Sequence, residues 1–157
     1  MFLLVAAILG FAGCSDQGNE PVGPPPIHYS VTNIFWTHVV DLDQDGYASS
    51  GSLNVSVNVT GDINRIIRVR AFYKGSEETV WTYLQDKVST VNGSVNKVFT
   101  FNGLASNLYY GSYDFRFIVS VWDGSNLVWY GDIQPPTFNA LTKQKFEYDG
   151  QDANPQP

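Results

Sequence analysis

The chain has 157 residues, 43% hydrophobic, 15% aromatic and 15% charged, with a formal net charge of −6. That length suits one domain with tails, and the apolar fraction is high enough for a core, which excludes a wholly disordered chain. The acidic balance and the lack of any Lys/Arg-rich run exclude a nucleic-acid binder, because phosphate contacts need a basic field.

Residues 1–13 (MFLLVAAILGFAG) are apolar without interruption and end at Cys14, the sole cysteine. The run is shorter than the roughly 20 residues that span a bilayer and has the character of a signal-peptide core. Phe11-Ala12-Gly13-Cys14 resembles the bacterial lipobox, with Phe11 in the place usually taken by Leu. No Lys or Arg precedes the run, which points to a start codon other than Met1. Cys14 is expected to carry lipid, at about 0.8 kcal/mol of membrane affinity per buried methylene. The expected location is the bacterial cell envelope, with the outer membrane favoured over the inner, and no cysteine remains for a disulfide.

Residues 14–26 continue as a polar, Pro-rich linker whose three consecutive prolines favour extended polyproline II. The globular domain is expected over 27–142. Its signature is alternation with period two. Expected strands are Val31–Val40, Ser52–Thr60, Arg65–Lys74, Thr79–Leu84, Val95–Phe101, Tyr113–Trp122 and Leu127–Ile133. In the second, Leu53, Val55, Val57 and Val59 share one face and Ser and Asn fill the other. In the third, Ile67, Val69, Ala71 and Tyr73 oppose Ile66, Arg68, Arg70 and Phe72. Gly-containing turn pairs separate the strands, and no eleven-residue window has a helical period. Seven or eight antiparallel strands without helices make an immunoglobulin/fibronectin III-like β-sandwich. Tyr113, opening a late strand, is placed to form a tyrosine corner, with its hydroxyl returned to the backbone just upstream. Residues 143–157 form a C-terminal tail in which Phe146 and Tyr148 extend a last edge strand before disorder.

Residues 41–47 (DLDQDGY) carry the densest chemistry. A D-x-D-x-D-G loop offers calcium side-chain oxygens at positions 1, 3 and 5 and a turn at the glycine, followed by a backbone carbonyl. Those residues are Asp41, Asp43, Asp45, Gly46 and Tyr47, with Ser49 able to contribute through water. The twelfth position is Ser52 rather than Glu, and a strand follows rather than a helix. Further ligands must come from elsewhere, and Asp62 and Asp123, both in turns, are the candidates. Weak binding, with a Kd of roughly 10⁻⁴ to 10⁻³ M, suits an extracellular module. The competing reading is a solvated acidic hairpin turn around Asp45-Gly46.

From this loop onward the chain resembles a family of bacterial surface proteins, the choice-of-anchor H type. The resemblance rests on Asp41-Leu42-Asp43-Gln44-Asp45-Gly46-Tyr47, the alternating strand after it, and Tyr113-Asp114-Phe115 with Trp122-Asp123. It covers roughly residues 31–133 and implies a surface location and a sandwich fold. Such domains usually carry more acid in the strand after the loop, where this chain has Ser56 and Asn58.

His28 and His38 lack the partners that would make a zinc site or triad. No phosphate loop or nucleophile motif occurs. No catalytic centre is expected. Arg65, Arg68 and Arg70 are expected to form a small solvated basic patch. The expected function is a non-catalytic, lipid-anchored, structural or adhesive sandwich stiffened by one Ca2+. Its partners are the membrane, through the N-terminal lipid, and a protein or glycan at the cell surface. The alternative is a carbohydrate-binding module using Trp81, Tyr83 and Trp129 as stacking platforms, against the simpler role of aromatic core filling.

Overall fold

The computed structural model describes residues 26–61, 64–104 and 108–147. The expectations for the signal segment, Cys14, the linker up to residue 25, Asp62, and Tyr148 with the final residues lie outside that range. The described chain is an all-β sandwich: β1 (His28–Val40), β2 (Ser50–Thr60), β3 (Asn64–Gly75), β4 (Thr82–Asn92), β5 (Val95–Phe101), β6 (Gly111–Asp123), β7 (Asn126–Ile133) and β8 (Gln144–Phe146). One sheet has the order β1-β2-β5 and the other β4-β3-β6-β7, with β8 paired to β6. All these strand pairings are antiparallel. The fourth strand belongs to the larger sheet. That distinguishes the order from the immunoglobulin constant type, where it joins the first two strands, and with β8 the two sheets hold three and five strands.

The core follows the alternation. Leu53, Val55, Val57 and Val59 of β2 face Ile67, Val69 and Ala71 of β3 and Phe115, Phe117, Val119 and Val121 of β6, all fully buried. Each such aliphatic or aromatic side chain contributes roughly 1.5–3 kcal/mol by leaving water. Phe101 of β5 packs on Phe117 across the two sheets at 5.2 Å.

Three features depart from the expectations. The polar face of β2 is buried as well: Ser52, Asn54 and Ser56 are closed off by β1 and β5 on either side. Burial of Ser52 and Asn54 is tolerated because their polar groups are satisfied. The Asn54 amide donates to Thr37 Oγ1 at 2.9 Å and to the Phe35 carbonyl at 3.3 Å, and its oxygen accepts from Thr100 Oγ1 at 2.7 Å. Ser52 Oγ donates to Asn102 Oδ1 at 3.1 Å.

The fourth strand begins at Thr82, not Thr79, and runs to Asn92. It is an edge strand with a bulge opposite Ala71/Phe72, and its mixed polar sequence carries little period. Trp81 consequently lies just ahead of it.

The last edge strand expected at Phe146 does form, as β8, but it belongs to the core and carries the folded unit past residue 142. A 3-10 turn, Asn139–Leu141, buries Leu141 completely, and β8 then returns Phe146 to the core. Phe146 packs against Trp36 at 5.2 Å and Phe115 at 6.0 Å. Trp36 sits edge-on to Phe115 at 5.3 Å and donates its indole N–H to the Ala140 carbonyl at 3.0 Å. Gly51 makes room for that indole: a Cβ there would stand 3.1 Å from the ring.

Candidate functional site

The acidic residues lie in the loop joining β1 to β2. Ser49 N–H donates to the Val40 carbonyl at 2.8 Å and closes the loop at its neck. Gln44 and Gly46 take positive φ, 62° and 90°, so the chain curls tightly between them. For Gly46 that conformation carries no side-chain penalty. The curl brings Asp41, Asp43 and Asp45 together, with one carboxylate oxygen of each within 4.8 Å of the others. Calcium at 2.3–2.6 Å from its ligands can bridge oxygens up to about 5 Å apart, so one ion can touch all three.

The loop also organises itself through its own amides. The Asp41 carboxylate accepts the Gln44 N–H at 2.8 Å with one oxygen and the Gly46 N–H at 3.0 Å with the other. Asp43 accepts from Asp45 N–H at 3.3 Å, and Asp45 from Tyr47 N–H at 2.8 Å. A carboxylate has about four lone-pair sites, so these bonds leave capacity for a cation.

The flank of the loop is tied to the C-terminal strand. Ala48 N–H donates to the Lys145 carbonyl and Glu147 N–H to the Ala48 carbonyl, each at 3.1 Å. The Tyr47 ring stacks on Tyr110 with centroids 4.2 Å apart, and the Lys145 ammonium lies 5.0 Å from the Tyr47 ring. The hydrogen bond with Tyr47, followed by desolvation and the nearby negative charges of Asp45 and Glu147, pushes the Tyr110 hydroxyl up to about 12. Glu147 is a buried carboxylate beside this loop. Sequence reasoning overlooked it because it follows the expected end of the domain.

Asp123 does not belong to the cluster. It ends β6, whereas Tyr110 and the loop flank the beginning of that strand; the separation is about 40 Å at 3.3 Å per residue. Asp123 instead pairs with Arg65 at 3.3 Å. The presumed arginine patch divides for a related reason. Arg65 has the inward parity of β3 and donates to the Tyr29 hydroxyl at 3.1 Å, while Arg68 and Arg70 project from the outer face. His28 and His38 are exposed, and neither joins a metal-ligand group among the described residues.

The three aromatic candidates occupy different settings. Trp129 is half-buried, packs against the core, and contacts Tyr29 at 6.2 Å. Trp81 is half-buried, with the Lys74 ammonium 5.3 Å and the Arg116 guanidinium 5.9 Å from its ring centre. Tyr83 is exposed at 55% and meets Phe72 edge-on at 5.8 Å. Trp81 and Tyr83 both border the Phe72–Arg116 pair, whereas Trp129 lies apart against the core, and of the three only Tyr83 is exposed. Among the described residues no helix is long and apolar enough to cross a membrane.

No family model matches the chain. No curated protein matches it either. Among solved structures it is similar to the crystal structure of a Bifidobacterium adolescentis GH3 β-glucosidase, at 10% identity and a TM-score of 0.41. The match covers 69% of this chain and 17% of that one, so it spans only a small part of the other protein.

Proposed function

We propose that this chain is a non-catalytic, lipid-anchored protein of the bacterial cell envelope whose sandwich serves a structural or adhesive role and is stiffened by one Ca2+. The observation that carries the reading is the convergence of the Asp41, Asp43 and Asp45 carboxylates within 4.8 Å in a loop closed at its neck. Like charges so close repel unless a cation screens them, and an all-oxygen donor set suits a hard ion. The Tyr47 carbonyl would add a ligand. The ion would neutralise the loop and fix the β1–β2 connection, and through Ala48 it would stiffen the seat of β8. The Cys14 anchor and the choice-of-anchor H resemblance support the envelope location.

Thermal unfolding with calcium and with chelator tests the metal. At a Kd of about 0.1 mM, a tenfold to hundredfold calcium excess adds roughly 1.4–2.7 kcal/mol and raises Tm by several degrees. The rise is absent with chelator and in Asp41→Ala. An identical Tm in calcium and chelator would leave the loop as a self-bonded acidic turn.

A second reading is saccharide binding. It is supported by Tyr83, the one open ring of the three candidates, and by its position on the outer face of the larger sheet.

A further inference from the structure

The outer face of the larger sheet carries side chains that neither the core nor the calcium loop uses. Ile66, Arg68, Val88, Trp122 and Gly124 line a groove of about 300 Å³ on that face. This is the lower end of the size range for small-ligand sites. Val88 is 56% exposed and Ile66 36%, so the walls are open to solvent. Trp122 is half-buried, and its indole N–H donates to Ser120 Oγ at 3.0 Å, which fixes the ring over the sheet. The register sets Ser120 between Arg68 on β3 and Tyr130 on β7, and Tyr130 is 53% exposed. An immobilised indole beside an exposed phenol is a stacking surface that needs little further ordering on binding.

The charges on this face are unequal. Arg68 pairs with Asp86 at 3.3 Å, Lys74 with Asp114 at 3.5 Å, and Arg116 with Asp132 through two hydrogen bonds. Arg70 lies directly opposite Asp86 in register, yet Asp86 bonds Arg68. Arg70 is exposed and forms no ion pair among the described residues. The face therefore holds one surplus guanidinium, two residues from the groove-lining Arg68 and on the same side of β3. This surplus sits on a chain whose net charge is −6. A second copy of the chain is a poor occupant, since a two-fold contact would bring the same Arg-bearing faces together.

We infer that this groove binds an acidic saccharide. The C–H face of a uronate ring packs on Trp122, with Tyr130 at its side. Arg70 lies four register positions from the Ile66–Trp122 pair, about 13 Å along the strand, and takes the carboxylate of a neighbouring uronate unit, for which its planar fork suits bidentate contact. The inference rests on the saccharide reading above but moves the site from Tyr83 to the groove.

The test titrates the intact chain with a galacturonate trisaccharide, with cellotriose, and with a short poly-glutamate peptide. Calorimetry is run in chelator, so that no ion bridges the acidic loop to the sugar. The expected result is binding of the galacturonate trisaccharide alone. Affinity falls at least tenfold in Arg70→Gln, whose exposed position leaves folding intact, and falls similarly in Trp122→Ala. Tyr83→Ala binds as the parent does. Absence of galacturonate binding, equal binding of the peptide, or an unchanged Arg70→Gln variant overturns the inference. Binding of cellotriose with loss in Tyr83→Ala also overturns it, while leaving the broader saccharide reading in place.

Discussion

The Tyr113 hydroxyl donates to the Tyr109 carbonyl at 2.8 Å, closing the corner that leads into β6. Tyr113 also packs edge-on against Tyr73 of β3 at 6.0 Å. The bond is the tyrosine corner foreseen in the sequence, and it ties the approach to β6 to the strand itself. Tyr113→Phe keeps the ring packing and removes only the hydroxyl. The expected cost is about 1 kcal/mol, measured as a lower urea midpoint with an unchanged slope. No change in the midpoint would make the bond incidental.

The second tyrosine pair gives a pH prediction. Tyr110 is held up to about 12 from an ordinary value of 10.0, first by its hydrogen bond with Tyr47. The folded chain keeps a proton that the unfolded chain releases, so this contribution is complete below pH 10. It is lost as the pH rises through about 12. Ultraviolet titration should show one tyrosine ionising near 12, and Tyr47→Phe should return it toward 10.0. A step still near 12 in the variant, with only the Tyr47 amplitude missing, would remove the Tyr47 bond as the cause.

Asn54 is the buried polar joint of the smaller sheet, and its removal leaves Thr37 and Thr100 facing a gap. Asn54→Ala should cost about 2 kcal/mol, largely from groups left without partners. Thr100→Val should cost about 1 kcal/mol, and the double variant less than the sum, because both changes break one bond. Chemical denaturation of the four proteins measures the coupling. Strict additivity would mean that the two side chains act independently.

Phe146 is 2% exposed and lies between Trp36 and Phe115. Phe146→Ala should cost ~3–5 kcal/mol through lost burial and the cavity left behind. Lys145→Ala, one residue earlier, removes an exposed side chain whose ammonium lies over the Tyr47 ring and should cost only about 0.5–1 kcal/mol. Comparable small effects for both would place β8 outside the cooperative unit.

Much of this fold was legible because a sandwich imposes its burial on every second residue. Leu53 through Val59 and Ile67 through Tyr73 declared their inner faces by alternation alone, and Val95–Phe101 was placed at its observed ends. The curl of Asp41, Asp43 and Asp45 was equally local, since their spacing and the positive φ of Gln44 and Gly46 bring them together. Reading failed where local pattern carries no information. The edge strand β4 buries few residues along its length, so its period is faint, and its start was misplaced by three residues and its end by eight. The return of Phe146 to Trp36 depends on a partner 110 positions away in the chain.

The sequence by itself determined the all-β class, the inward face of each central strand, the tyrosine corner and the acidic loop. All of these arise from interactions within one strand or one turn. Only the tertiary structure decided that Asp123 lies at the opposite end of β6 from that loop, that Arg65 meets Tyr29 and Asp123 while Arg70 stays exposed, and that Trp122 shares a groove with Ile66 and Val88. Those relations depend on which strands become neighbours and in what register, and register is set by the packing of two whole sheets.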